Sequence, residues 1–106
     1  MVKSIGKKIN TAVFISGRGS NLKSLIKFNK KRNSPILIKL VVSDNPNAKG
    51  LVYAKKSKIK KHIINYNNKS ISEKKLLKKL LYCKINLICL AGFMKIISKN
   101  FINKFN

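Results

Sequence analysis

Along the chain, short apolar runs alternate with stretches in which apolar and polar residues repeat at helical spacing. Asn10 to Ile15 is apolar and leaves through the small residues Ser16 and Gly17, the pattern of a buried parallel strand. Asn21 to Lys31 places Leu22, Leu25, Ile26 and Phe28 at near-helical intervals and predicts a first helix, ended by Asn33-Ser34-Pro35. Ile36 to Val42 predicts a second strand, leaving through the dense turn signal Ser43-Asp44-Asn45-Pro46-Asn47. Ala48 to Lys58 predicts a short helix, and Lys61 to Tyr66 a weaker third strand. Ser70-Ile71-Ser72-Glu73 fits a capping box, with Ser70 as N-cap and Glu73 three residues on. Behind it, Leu76, Leu77, Leu80 and Leu81 make an apolar stripe opposed by lysines. Ile85 to Ala91 predicts a fourth strand, Gly92 to Lys95 a loop, and Ser98 to Phe105 the start of another helix.

Strands and helices thus alternate throughout. The fold class expected is α/β, with a mainly parallel sheet and right-handed crossovers. Ligands of such sheets bind beyond the carboxyl ends of the strands, which directs attention to the loops after the first and fourth. No internal repeat or linker interrupts the pattern, and 106 residues make one domain or less. Met1 to Ile9 is expected to be a basic leader, with residues 10–106 forming the domain. The predicted last helix runs up to Phe105-Asn106, and the expectation is a fold truncated at its C-terminus.

Charge changes the picture in one respect. There are 25 Lys and Arg against Asp44 and Glu73, a net charge of +23. Such a balance first suggests a nucleic-acid or other polyanionic partner. Only Arg18 and Arg32 are arginine, however, and Lys, Ile and Asn make up 51 of 106 residues. All three have A/T-rich codons, so background composition accounts for the bias. Specific nucleic-acid readers rely on the bidentate fork of Arg, and these lysines are neither in one block nor interleaved with aromatics. No specific nucleic-acid partner is expected. Cys83 and Cys89 lack metal spacing and a His or acidic cluster beside them, so free thiols and no metal are expected. No apolar run reaches membrane-spanning length and no signal core opens the chain, which points to a cytoplasmic protein without a membrane partner.

Two segments carry candidate chemistry. Ser16-Gly17-Arg18-Gly19-Ser20-Asn21-Leu22 joins a predicted strand to a predicted helix. Its glycines allow close approach of an anion to the backbone, and the helix start offers unpaired N–H groups at the positive end of its dipole. It lacks the Gly-Lys-Ser/Thr of a Walker loop and the third glycine of the dinucleotide fingerprint. A phosphate cradle and a plain capped turn both remain open from these residues alone. Leu90-Ala91-Gly92-Phe93-Met94-Lys95-Ile96-Ile97 follows the fourth strand and suits a flat heterocycle, which needs apolar walls and free backbone groups; core packing of Phe93, Met94 and Ile96 is the competing reading.

In order and at these separations, the two motifs resemble the phosphoribosylglycinamide formyltransferase family, from about Thr11 to the end. The turn Val42 to Leu51 is also similar to the exit of that family's second strand. The resemblance implies a Rossmann-like formyltransferase fold and transfer of a formyl group from 10-formyltetrahydrofolate to the amine of 5'-phosphoribosylglycinamide in purine synthesis. It further implies that Gly19, Ser20, Asn21, Leu22 and Lys23 hold the phosphate and ribose end of the substrate, mostly through backbone N–H groups. Met94, Lys95, Ile96 and Ile97 would line the pterin site. Lys69 falls where the family often has a folate-contacting Arg, although one more solvated lysine is the slightly favoured reading. The catalytic Asn and His implied lie in an Asn-x-His-Pro-Ser stretch, with an Asp further on, and residues 1–106 contain no such stretch. His62 matches no catalytic position and is expected to be structural. A folate hydrolase or another folate-dependent formyltransferase of the same fold remains an alternative, as does a basic nucleic-acid-binding module.

Overall fold

The computed structural model describes residues 8–16, 20–31, 33–64 and 69–91. The elements run β1 (Ile9–Ile15), α1 (Ser20–Asn29), β2 (Ile36–Ser43), α2 (Gly50–Lys56), β3 (Lys60–Ile63), α3 (Lys69–Tyr82) and β4 (Leu87–Leu90). The strands form one parallel sheet in the order β3-β2-β1-β4. The alternation of apolar runs and amphipathic stretches therefore yields the α/β architecture it predicted.

Two cores sandwich the sheet. On one face, Ala12 and Phe14 of β1 and Leu40 and Val42 of β2 pack with Leu76 and Leu80 of α3. On the other, Val13, Ile15, Ile38 and Val41 pack with Leu22 and Ile26 of α1 and with Leu51 and Ala54 of α2. Helices cover both faces, so β1, buried on both, reads as a continuous apolar run rather than an alternating one.

The pairing of β1 with β2 contains a shift. Thr11 lies opposite Ile38 and Ala12 opposite Leu40, leaving Lys39 as an extra residue in β2. The shift has a clear cause. Ile36 and Ile38 pack on the α1/α2 face, and strict alternation would send Lys39 into the α3 core and Leu40 to the wrong side. An unpaired ammonium in an apolar core is costly. The bulge instead leaves Lys39 exposed and restores the phase, so that Leu40 and Val42 face α3 and Val41 faces α1 and α2.

Helices α2 and α3 end alike. The N–H of Ile59 donates to the carbonyl of Ala54 and that of Lys58 to Lys55; the N–H of Ile85 donates to Leu80 and that of Lys84 to Leu81. These are Schellman endings, with a left-handed residue followed by an apolar one that packs back. Lysine holds the left-handed position both times, Lys58 at φ 59° and Lys84 at φ 56°. Ile59 and Ile85 follow and join the two cores.

Several boundaries differ from the sequence expectation. The left-handed Lys58 stops α2 at Lys56, and Ala48 and Lys49 belong to the preceding turn, in which the Ala48 N–H donates to the Asn45 carbonyl. β3 spans four residues because β2 pairs with it only over Leu40 to Ser43. Helix α3 begins at Lys69, which puts Ser70 inside the first turn rather than at the N-cap. Burial of Leu76 and Leu80 sets which face of this helix turns to the sheet. Leu81 leaves the predicted stripe: it is 78% exposed, since it lies well over 90° round the helix from Leu76. Phe28 of α1 is likewise exposed, and Asn29 turns inward in its place, its Oδ1 accepting the Ile38 N–H. Cys83 and Cys89 are free and half-buried. The predicted loop and helix beyond Ala91 lie outside the described residues.

Candidate substrate site at the carboxyl edge of the sheet

From β1 the chain moves to β2 and β3 on one side, then crosses to β4 on the other. The strand order reverses between β1 and β4, and in open α/β sheets the ligand crevice forms at such a point, beyond the carboxyl ends of the strands. β1 and β4 are hydrogen-bonded neighbours, with Phe14 opposite Leu90, and the Ala91 N–H donates to the Phe14 carbonyl at 2.9 Å. The exits of these two strands lead into the two motifs, more than 70 residues apart in sequence. The sheet thus brings to one edge what the sequence shows only as separate segments.

The first motif opens α1, which starts at Ser20. Its first turn presents main-chain N–H groups at the positive end of the helix dipole. Asn21 is exposed, whereas the Leu22 side chain is fully buried between sheet and helices. Leu22 therefore anchors the helix start in the core. Lys23 is exposed and its Nζ lies 5.6 Å from the centroid of the Tyr53 ring on α2. That cation–π contact draws the Lys23 ammonium toward α2. Gly19 lies outside the described residues, as do Met94, Lys95, Ile96 and Ile97. Lys69 opens α3; its main chain, following β3, belongs to the same carboxyl edge.

On the other side of β1, the turn after β2 is held by its own polar side chains. The Ser43 hydroxyl donates to the Asn45 carbonyl and accepts the Asn45 N–H, and Asn45 Oδ1 accepts the Asn47 N–H. These bonds close the turn at the carboxyl end of β2. The short polar residues that marked it as a turn in the sequence are the ones that close it.

His62 lies one residue from the carboxyl end of β3, level with Val42. It is half-buried in β3 facing α3, and its pKa is lowered from 6.5 by burial, then by Lys79 and Lys75. Among the described residues, no three His, Cys, Asp or Glu side chains gather as a metal site, and no helix is long and apolar enough to cross a membrane. Two cavities lie away from the crevice. One of about 600 Å3 runs between the turn at Pro46, α2 and β3, and one of about 410 Å3 lies at the amino end of the sheet. The second is lined by lysines that sequence reasoning missed. A faint signal was present: Lys-Ile follows the end of an amphipathic stretch at Lys58-Ile59 and again at Lys84-Ile85.

Comparison with known proteins agrees with this geometry. The chain is 38% identical over 103 residues to the human trifunctional purine biosynthetic protein adenosine-3, an alignment covering 94% of the chain and 10% of that protein. It is 35% identical to the phosphoribosylglycinamide formyltransferase of Haemophilus influenzae, covering 93% of the chain and 47% of the relative. The crystal structure of phosphoribosylglycinamide formyltransferase from Brucella melitensis superposes with a TM-score of 0.89 at 33% identity, over 93% of this chain and 53% of that one. The chain therefore spans about half the length of these single-function enzymes and a tenth of the human protein. The family model described as formyl transferase matches residues 9–106. With the family model matching residues 9–106 and a parallel sheet that superposes on those enzymes, this chain belongs to the formyl transferase family.

Proposed function

We propose that residues 10–106 form the substrate-binding part of a cytoplasmic phosphoribosylglycinamide formyltransferase. The reaction is transfer of a formyl group from 10-formyltetrahydrofolate to the amine of 5'-phosphoribosylglycinamide in purine synthesis. The observation that carries this reading is the adjacency of the β1 and β4 exits at the point where strand order reverses. A phosphorylated amine held by one exit and a pterin held by the other would meet across a single strand spacing.

The two exits have distinct tasks. N–H groups of the α1 start, from Gly19 through Lys23, receive the phosphate and fix the amine end by anchoring its far end. The buried Leu22 side chain keeps that helix start from shifting under the ligand. The β4 exit, from Ala91 into Met94, Lys95, Ile96 and Ile97, supplies the apolar bed for the folate, with Lys69, after β3 on the same carboxyl edge, as the cationic residue assigned to it. The folate supplies the formyl carbon that the amine attacks. Oxyanion stabilisation and proton transfer in such a step require preorganised donors and a base. None of the residues 1–106 is assigned that work. The two acidic residues, Asp44 and Glu73, and the histidine His62 are not given that role, and His62 lies on β3 facing α3.

Binding is therefore the property to measure. Titration calorimetry with 5'-phosphoribosylglycinamide is expected to show binding by the native chain and at least about tenfold weaker binding by Gly19→Val. A side chain there blocks approach of the phosphate, and each charge-assisted hydrogen bond lost is worth roughly 1.5–3 kcal/mol. Unchanged affinity in a folded Gly19→Val protein would remove the phosphate role from this loop.

A further inference from the structure

The amino end of the sheet, opposite the substrate crevice, carries a second concentration of charge with its own architecture. The cavity of about 410 Å3 between the end of α3 and the amino ends of β2 and β3 is lined by Lys39, Lys58, Lys60 and Lys84, together with Tyr82. Tyr82 is 73% exposed. The Lys60 Nζ lies 5.4 Å from its ring centroid, and the Lys79 Nζ 5.9 Å.

Background composition puts lysines anywhere on a surface, but three of these occupy unusual backbone positions. Lys58 and Lys84 are the left-handed residues of two separate Schellman endings, a position that favours glycine because a Cβ is strained there. Lys39 is the extra residue of the β2 bulge. Three independent irregularities on three elements thus aim lysines at one cavity.

Little negative charge opposes them. Asp44 follows the carboxyl end of β2, and Glu73 lies near the start of α3, about 13 Å along the helix axis from Tyr82. The C-termini of α2 and α3 each contribute roughly half a negative charge, about one in total, against four lining lysines. The positive potential extends to β3, where Lys79 and Lys75 add to burial in lowering the pKa of His62.

We propose that this cavity is a binding site for a small oligophosphate, such as the phosphate tail of a nucleoside triphosphate, separate from the substrate crevice. Flexible lysines at several angles suit a chain of phosphates, which presents charge on all sides. The volume admits a few phosphate groups, whereas a nucleic-acid strand needs a long groove. Tyr82 gives the site an aromatic edge on which a base can rest.

Isothermal titration of the full chain with sodium tripolyphosphate at physiological salt tests this. The variant is Lys58→Gly with Lys84→Gly, which removes two charges and installs the residue the backbone prefers, so the fold is kept. The control is Lys74→Gln with Lys78→Gln, on exposed α3 positions, with the same change in net charge. Binding by the native chain and the control, weakened about tenfold or more in the glycine variant, is the expected result. Displacement of tripolyphosphate by ATP at similar concentration supports a nucleotide as its source. No binding by the native chain, or equal weakening in variant and control, overturns the site and leaves only diffuse charge. Displacement by an oligodeoxythymidylate at lower phosphate concentration than ATP also overturns it, in favour of a nucleic-acid surface.

Discussion

At the scale of single residues, side chains that look alike in sequence are separated by their surroundings. Leu80 and Leu81 are neighbours in one amphipathic stretch, yet one is buried and the other faces water. His62 shows the same sensitivity. Half-buried and facing Lys79 and Lys75, it prefers the neutral form, so its native pKa lies below the unfolded value of 6.5. The unfolded chain then takes up the proton first as pH falls. Stability from this residue is present above pH 6.5 and is lost as pH falls through that value toward the lower native pKa. Thermal melts from pH 8 to pH 5 should show a decline that is smaller in His62→Gln. Equal declines in both proteins would assign the pH response to other groups.

At the scale of elements, β2 shows how a strand reconciles a misplaced charge with two buried faces. Without Lys39, β2 alternates regularly from Ile36 to Ser43 and matches β1 residue for residue. Deletion of Lys39 is therefore expected to leave a cooperatively folded protein with the same far-ultraviolet circular dichroism. Lys39→Ala, which keeps the extra residue, should keep the bulge. Loss of cooperative unfolding in the deletion variant alone would mean that the bulge itself, through its added twist, is required by the sheet. The helices make a related point. Their existence was legible from the spacing of Leu22 with Ile26 and of Leu76 with Leu80, whereas their ends were not. Lys58 and Lys84 adopt a conformation that their residue type disfavours, because Ile59 and Ile85 have cores to join.

At the scale of the whole molecule, charge is the dominant feature. With +23 and only two acidic residues, repulsion between lysines opposes the compact state. Raising salt from about 10 mM to about 150 mM shortens the screening length from roughly 30 Å to roughly 8 Å. The unfolding temperature should rise over that range, in contrast to a protein held by surface ion pairs. A falling midpoint would show that attractive pairs outweigh the repulsion. Among the described residues β4 is an outer strand of the sheet, and Leu87 and Leu90 are exposed on it. Screening of the lysines removes the repulsion that keeps such strands apart, so this melt is best followed at several protein concentrations.

The sequence by itself determined the class of the fold and the number and order of elements across the described residues, and it carries the two motifs that follow β1 and β4. These are local properties: a period of two or 3.6 residues, a turn such as Ser43 to Asn47, and glycines at a strand exit are all written within a few positions. Only the tertiary structure decided that β4 pairs with β1 rather than with β3, and so that the exits at Ser16 and Ala91 are neighbours. It also decided that Lys39, Lys58 and Lys84 share a cavity at the opposite end. Such pairings depend on which buried faces fit together over long separations in sequence. The bulge and the left-handed lysines are the local concessions by which Leu40, Ile59 and Ile85 reach their cores.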